Sequence, residues 1–189
     1  MKKLFILLFF CLFLSSGVIN SIEPEYKDGD LIPKEQNNKY GFVDKKTGEV
    51  VIPFKYDWAE VFSEGLAHIK LNNKHGYIDE KDRVIIPFRY DNGGWFESGL
   101  ASVKLNDKYG FINKSGKLVI PFKYDYAWWF EFGLAPIKLN DKYGFIDKTG
   151  KLVIPFKYDS VGWFFKNGVA WVKVNGREFY IDRNGNEMK

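Results

Sequence analysis

Hydrophobic and polar residues alternate along most of this chain, and they do so in a phase that returns. In "GLASVKL" (Gly99–Leu105), Ala101, Val103 and Leu105 share one side while Ser102 and Lys104 take the other. That is the period of a half-buried strand. The same alternation recurs at Ala67, Ile69 and Leu71, at Ala135, Ile137 and Leu139, and at Ala170, Val172 and Val174. Each of these segments runs into Asn72-Asn73, Asn106-Asp107, Asn140-Asp141 or Asn175-Gly176. These pairs tolerate positive φ and fit two-residue hairpin turns. A second strand follows, "KYGFIN" at Lys108–Asn113 in the third copy, then a turn at Lys114-Ser115-Gly116, then a third strand, "KLVIPF".

The third strand carries the clearest repeat. "KLVIPFKYD" occupies Lys117–Asp125 and again Lys151–Asp159, and near copies sit at Glu49–Asp57 and Arg83–Asp91. Pro53, Pro87, Pro121 and Pro155 are each 34 residues apart. A period in the thirties marks stacked supersecondary units, each needing its neighbours to bury both faces. Glycine and proline at fixed places leave no stretch that reads as a good helix. Proline cannot donate to a strand ladder, so it is expected at a strand end or on an edge, and here it is read as stopping the third strand. The connector "KYDYAWWFEF" (Lys123–Phe132) has room for one helical turn.

The fold expected is therefore all-β: tandem 34-residue repeats of three short antiparallel strands in an open stacked array, with a closed propeller-like ring as the alternative. Leu31, Pro33 and Asn37 align with Leu134, Pro136 and Asn140, so the array starts near Asp30. It contains five copies of the first two strands and four of the third, about four and a half repeats over residues 30–189. The polar segments Glu23–Asp30 and Arg183–Lys189 read as solvated caps.

Composition adds a location and an excess of rings. Lys2 and Lys3 precede the apolar run Leu4–Leu14, and Ser15-Ser16-Gly17 follow, which is the layout of a secretory signal peptide. Residues 1–21 are expected to be removed, with cleavage after Gly17 or after Ser21, leaving a polar segment over 22–29 and a protein that is secreted or resides in the periplasm or cell envelope. Cys11, the only cysteine, lies inside this segment between Phe10 and Leu12, where lipidation is not expected, so the remainder has neither disulfide nor thiolate. The formal charge of +4 is spread evenly, without a basic block, and gives no support to nucleic-acid binding. Aromatic residues make up 19% of the chain, more than a core of this size needs.

The string aromatic-Gly-Phe-Ile-Asp, then Lys-x-Gly, then Val-Ile-Pro-x-x-Tyr-Asp, then Phe-x-x-Gly-Leu-Ala resembles the WG-repeat family of bacteria, from about Asp30 to Lys189. The namesake pair stands here as Tyr40-Gly41, His75-Gly76, Tyr109-Gly110 and Tyr143-Gly144, and becomes Glu178-Phe179 in the fifth copy. The resemblance implies a β-repeat module of exported or envelope proteins. It implies no general activity.

Candidate chemistry divides by column. Asp57, Asp91, Asp125 and Asp159 recur once per connector, too sparsely for calcium, and read as turn acceptors. Asp44, Asp79, Asp147 and Asp182 precede turns, and Asn113 replaces them in the third copy, as suits a cap and not a general acid. His68 and His75 flank one hairpin turn and are expected to lie near each other on paired strands. They lack further ligands for zinc, and no metal or cofactor is expected. Phe62, Phe96, Phe130 and Phe164 recur and read as core. Trp95, Trp129 and Trp163 share a column with Val61, which also points to burial. The columns that change character between copies hold Trp58 and Tyr126, Trp128, and Trp171. These four rings are the expected ligand-binding residues of a non-enzymatic module for an envelope protein or glycan. The alternative is an envelope hydrolase using connector carboxylates, with Glu60, Glu64 and Glu97 as its candidates.

Overall fold

The computed structural model describes residues 26–164 and 168–188, with the side chains of Trp163 and Phe164 outside the description. The segment read as a signal peptide, and Glu23–Glu25 of the polar segment after it, therefore lie outside the described residues. The described residues form antiparallel sheets and contain no helix. The first sheet holds β1 (Leu31–Gln36), β2 (Lys39–Asp44) and β3 (Val50–Tyr56). The second runs β4 (Trp58–Ser63), β5 (Leu66–Leu71), β6 (Lys74–Ile78) and β7 (Val84–Tyr90). The third runs β8 (Asn92–Gly93), β9 (Leu100–Leu105), β10 (Lys108–Asn113) and β11 (Leu118–Tyr124). The fourth repeats this order with β12 (Tyr126–Ala127), β13 (Leu134–Leu139), β14 (Lys142–Asp147) and β15 (Leu152–Tyr158). The fifth has β16 (Ser160–Phe164), β17 (Ala170–Val174) and β18 (Arg177–Ile181).

The expected strands are all present, five of each of the first two kinds and four of the third. The connector differs from expectation. It forms no helical turn but supplies a further strand, β4, β8, β12 or β16, which pairs with the Gly-Leu-Ala strand that follows it. A turn with positive φ at Glu64-Gly65, Ser98-Gly99 or Phe132-Gly133 reverses the chain between the two. The Asn pairs also adopt positive φ, 50° and 61° at Asn72 and Asn73, as a two-residue hairpin requires.

The proline does not stop its strand. In the third sheet Tyr109 faces Tyr124 and Phe111 faces Ile120, so Gly110 alone opposes Pro121–Lys123 in a bulge. Pro121 is exposed on the outermost strand, where its missing N–H costs no ladder bond. The bulge explains the glycine column as well. A Cβ on Gly110 would lie 2.6 Å from the Ile120 carbonyl oxygen, and the like atom at Gly41, Gly76 and Gly144 would lie 2.5–2.6 Å from Ile52, Ile86 and Ile154. Glycine and proline columns are two sides of one contact.

Consecutive sheets stack on one another, and the main contacts between sheets join neighbours in the chain, which makes the array open. Each of the four cores lies between two sheets. Phe111, Ile120, Tyr124 and Leu100 of the third sheet pack on Phe130, Ala135, Ile137 and Ile146 of the fourth. The next residue, Ile112, points the other way and joins Ala101, Val103 and Phe96 against Tyr77, Ile86 and Tyr90 of the second sheet. Successive side chains on a strand leave by opposite faces, so an uninterrupted apolar pair serves two cores. Phe62, Phe96 and Phe130 are core, as their recurrence indicates.

The polar end segments are docked instead of solvated. The Asp28 carboxylate accepts the backbone N–H groups of Glu64 (2.6 Å) and Gly65 (3.0 Å), tying the N-terminal segment to the second sheet. Arg183 donates to the Phe132 carbonyl and Arg177 pairs with Glu187.

Candidate functional site

The recurrent acids are committed to the scaffold. Asp57, Asp91, Asp125 and Asp159 each use one carboxylate oxygen to accept a backbone N–H at the start of the next hairpin turn: Asn72, Asn106, Asn140 and Asn175, at 2.7–2.8 Å. The other oxygen takes the ammonium of Lys39, Lys74, Lys108 or Lys142 at 2.5–2.7 Å. The lysine hydrogen bond is the main cause that holds all four carboxyls below the usual aspartate range, with the turn N–H adding to it. Asp44, Asp79, Asn113, Asp147 and Asp182 accept N–H groups two to four residues ahead and close their turns. Among the described residues, no group of three or more His, Cys, Asp or Glu side chains is placed to hold a metal ion.

Rings gather where these columns vary, at the junctions of the second, third and fourth sheets. Trp58 on β4, His68 on β5 and His75 on β6 line an open groove of about 530 Å³ together with Glu60, Asn92 and Gly93. The Trp58 ring stands edge-on to His68 at 5.2 Å, and His68 stacks on Tyr77 at 5.3 Å. His68 Nε2 and His75 Nδ1 lie 2.9 Å apart, one donating to the other, while His68 Nδ1 faces Glu60 Oε2 at 3.3 Å. His68 is 1% exposed. Burial first, then the neighbouring His68 and Lys70, push the His75 imidazole down to about 4. Gly93 leaves room for this pair, since a Cβ there would meet His68 Nε2 at 2.9 Å.

Glu60, Asn92 and Gly93 also border a second, smaller hollow of about 160 Å³, so the two adjoin. Its walls are rings: Trp95, Tyr109, Tyr126, Trp128 and Trp129. Each touches the next, with centroids 4.6 Å apart for Trp95–Trp129, 6.2 Å for Trp129–Trp128, 6.0 Å for Trp128–Tyr126 and 5.4 Å for Tyr126–Tyr109. Trp128 Nε1 donates to Tyr126 Oη at 2.6 Å and Asn92 Nδ2 to Tyr109 Oη at 3.3 Å, which fixes the ring orientations.

Of the four rings expected at a binding surface, three belong to this pair of hollows: Trp58 in the outer one, Tyr126 and Trp128 in the inner one. Trp171 does not. It lies on β17 between Ala170 and Val172, both fully buried toward the fourth sheet, so it faces the opposite, outer side of the last sheet beside Tyr180. The column shared by Trp95, Trp129 and Val61 is not core: the two tryptophans are half-buried and Val61 is 53% exposed. A signal for this was present, because Trp95 and Trp129 directly precede the buried Phe96 and Phe130, and neighbours in extended chain point to opposite sides. Trp163 shares the column, but its side chain is outside the described residues.

Comparison with known proteins bears on the family and the fold. The family described as WG containing repeat matches at residues 40–74, 76–109, 109–143 and 143–177. No curated protein matches the chain. Among solved structures, Hsv2 of Kluyveromyces lactis is similar with a TM-score of 0.56 at 9% identity, covering 85% of this chain and 58% of that one. A eukaryotic initiation factor is similar at 0.54 and 10% identity, covering 84% and 50%. The extracellular domain of a one-component system of B. thetaiotaomicron gives 0.50 at 13% identity, covering 87% and 29%. The chain thus spans between about a third and three fifths of these structures, and the likeness is one of fold. With four matches in tandem, placed on the repeating sheets, the chain belongs to the WG containing repeat family.

Proposed function

We propose that this protein is an exported, non-enzymatic binding module, and that the pair of hollows across its second to fourth sheets holds a glycan of the cell envelope. One observation carries the reading. Trp58, Trp95, Tyr126, Trp128 and Trp129 stand together around Glu60, Asn92 and Ser102, and the columns of Trp58, Tyr126 and Trp128 change character from copy to copy. Aromatic faces beside a few fixed hydrogen-bonding groups suit sugar rings, whose axial C–H faces stack while their hydroxyls bond. The rings are already held by their own hydrogen bonds, so little side-chain order has to be bought on binding.

Two of the three carboxylates named for a hydrolase, Glu60 and Glu64, have partners of their own. Both oxygens of Glu64 accept the Gly99 N–H, at 3.2 and 3.0 Å, and Glu60 faces His68. The test is a glycan array and a polysaccharide pull-down. They use protein secreted from a host expressing the full chain, with Trp58→Ala and Trp128→Ala beside it. Binding should appear in the wild type and fall about tenfold or more in each variant, with unchanged circular dichroism. Retention by both variants would remove the hollows from consideration as the binding surface.

A further inference from the structure

The inner hollow has a composition that neutral sugars do not require. Five aromatic rings wall it, and its single charged lining residue is Glu60; among the described residues that line it there is no Lys, Arg or His. This is unusual in a chain that has 28 lysines and arginines. The rings present π-faces, whose quadrupoles attract a cation, and the nearby carboxylate adds to the same potential. The Trp128–Tyr126 and Asn92–Tyr109 hydrogen bonds hold the walls in place before any ligand arrives. A strongly hydrated ammonium such as lysine's would lose more on entering than the rings return. A cation with its charge spread over methyl groups loses little hydration and fills an apolar box.

We propose that the hollow bounded by Trp95, Tyr109, Tyr126, Trp128, Trp129 and Glu60 is a binding site for a quaternary ammonium group of the choline type. This rests on the reading of the two hollows as the ligand-holding surface and supplies its substrate class: a ligand carrying a trimethylammonium head. The head enters the inner hollow, and the body of the ligand lies in the outer groove along Trp58 and the histidine pair.

The test uses protein secreted from a host expressing the full chain. Choline chloride and tetramethylammonium chloride are titrated against tryptophan fluorescence, with sodium chloride at equal ionic strength as the blank. The neutral carbon isostere 3,3-dimethylbutan-1-ol is titrated alongside. Both cations should give a saturable change, and the isostere should bind about tenfold more weakly, the loss expected when the charge is removed from an aromatic cage. Trp129→Leu and Glu60→Gln should each weaken choline binding. Tyr126→Leu, at a 37% exposed position, provides a variant that keeps its fold if Trp129→Leu does not. Sedimentation with phosphatidylcholine against phosphatidylglycerol vesicles separates a lipid headgroup from free or glycan-borne choline as its source. Equal binding of cation and isostere, or no saturable change with either cation, overturns the proposal. If neutral polysaccharides bind while choline does not, this inference falls and the glycan reading stands. If choline binds while neutral polysaccharides do not, the ammonium site stands alone.

Discussion

Gly110→Ala puts the contact between the glycine and proline columns to the test. The added methyl would lie 2.6 Å from the Ile120 carbonyl oxygen, 3.0 Å from Phe122 N and 3.1 Å from Phe122 Cδ1. The Phe122 ring can swing aside. The carbonyl cannot, because the Ile120 side chain is itself buried in the core between the third and fourth sheets. Relief requires β11 to move outward as a strand, lengthening its bonds to β10 and withdrawing Ile120 and Tyr124 from the fourth sheet. Overpacking costs about 1–3 kcal/mol, and an obstacle made of backbone places this case at about 3 kcal/mol. Gly48→Ala is the control. Nothing lies within 4 Å of its ideal Cβ, and only the positive φ of 75° opposes the methyl, a cost of about 1 kcal/mol. Guanidinium denaturation followed by circular dichroism and tryptophan fluorescence should show the larger loss for Gly110→Ala. Equal losses for the two variants would refute the coupling.

Phe130→Ala should cost about 3–5 kcal/mol as a core truncation, whereas Trp128→Ala should leave the denaturation midpoint within about 1 kcal/mol of wild type; comparable losses would place Trp128 in the core. Asp57, Asp91, Asp125 and Asp159 have folded pKa values below their unfolded ones, so the stability they supply is present above about pH 4 and is lost as pH falls through the lower folded values. A midpoint that stays level on acidification through that range would contradict the lysine and turn bonds as drawn. His75 titrates near 4 when folded against about 6.5 unfolded, so the unfolded chain binds the extra proton between those values. Stability should therefore decline as pH drops from about 6.5 to about 4, and His75→Gln should remove that slope while leaving the one at lower pH. Glu131, whose Oε2 is buried without a hydrogen-bond partner and whose carboxyl is pushed up by burial and by Glu97, should give a more stable protein as Glu131→Gln, read as a higher melting temperature.

Hairpins were legible because their signals are local. Asn72-Asn73 and its counterparts require positive φ wherever they occur, and Ala101, Val103 and Leu105 alternate without reference to anything distant. The bulge was not legible, since Pro121 shows only that a ladder bond is missing, and both a strand end and an outer edge satisfy that. The added strand at β8 and β12 is two residues long. Its pairing depends on where the next Gly-Leu-Ala strand lies, which no local pattern in "YDYAWWFEF" records. The candidate site was legible in part for the same reason. Column variation picked out Trp58, Tyr126 and Trp128, which lie where three sheets meet. It picked out Trp171 on equal grounds, because a column cannot reveal that the fifth sheet has no successor to cover it among the described residues. Trp95 and Trp129 were hidden by recurrence, which marks a contact that repeats as readily as a residue that is buried.

The division of each inner sheet between two cores bears on how such a chain lengthens or shortens. Every forward face meets the same kind of backward face, so cutting out the 34 residues between two like positions, such as Pro87 and Pro121, brings together surfaces that already match. Inserting a unit at the same joint opens one junction and closes two of the same design. Unequal crossing-over between the identical stretches at Lys117–Asp125 and Lys151–Asp159 would therefore yield foldable products of different length. The array can change its number of units by recombination without inventing a new interface, while the variable columns remain free to diverge unit by unit.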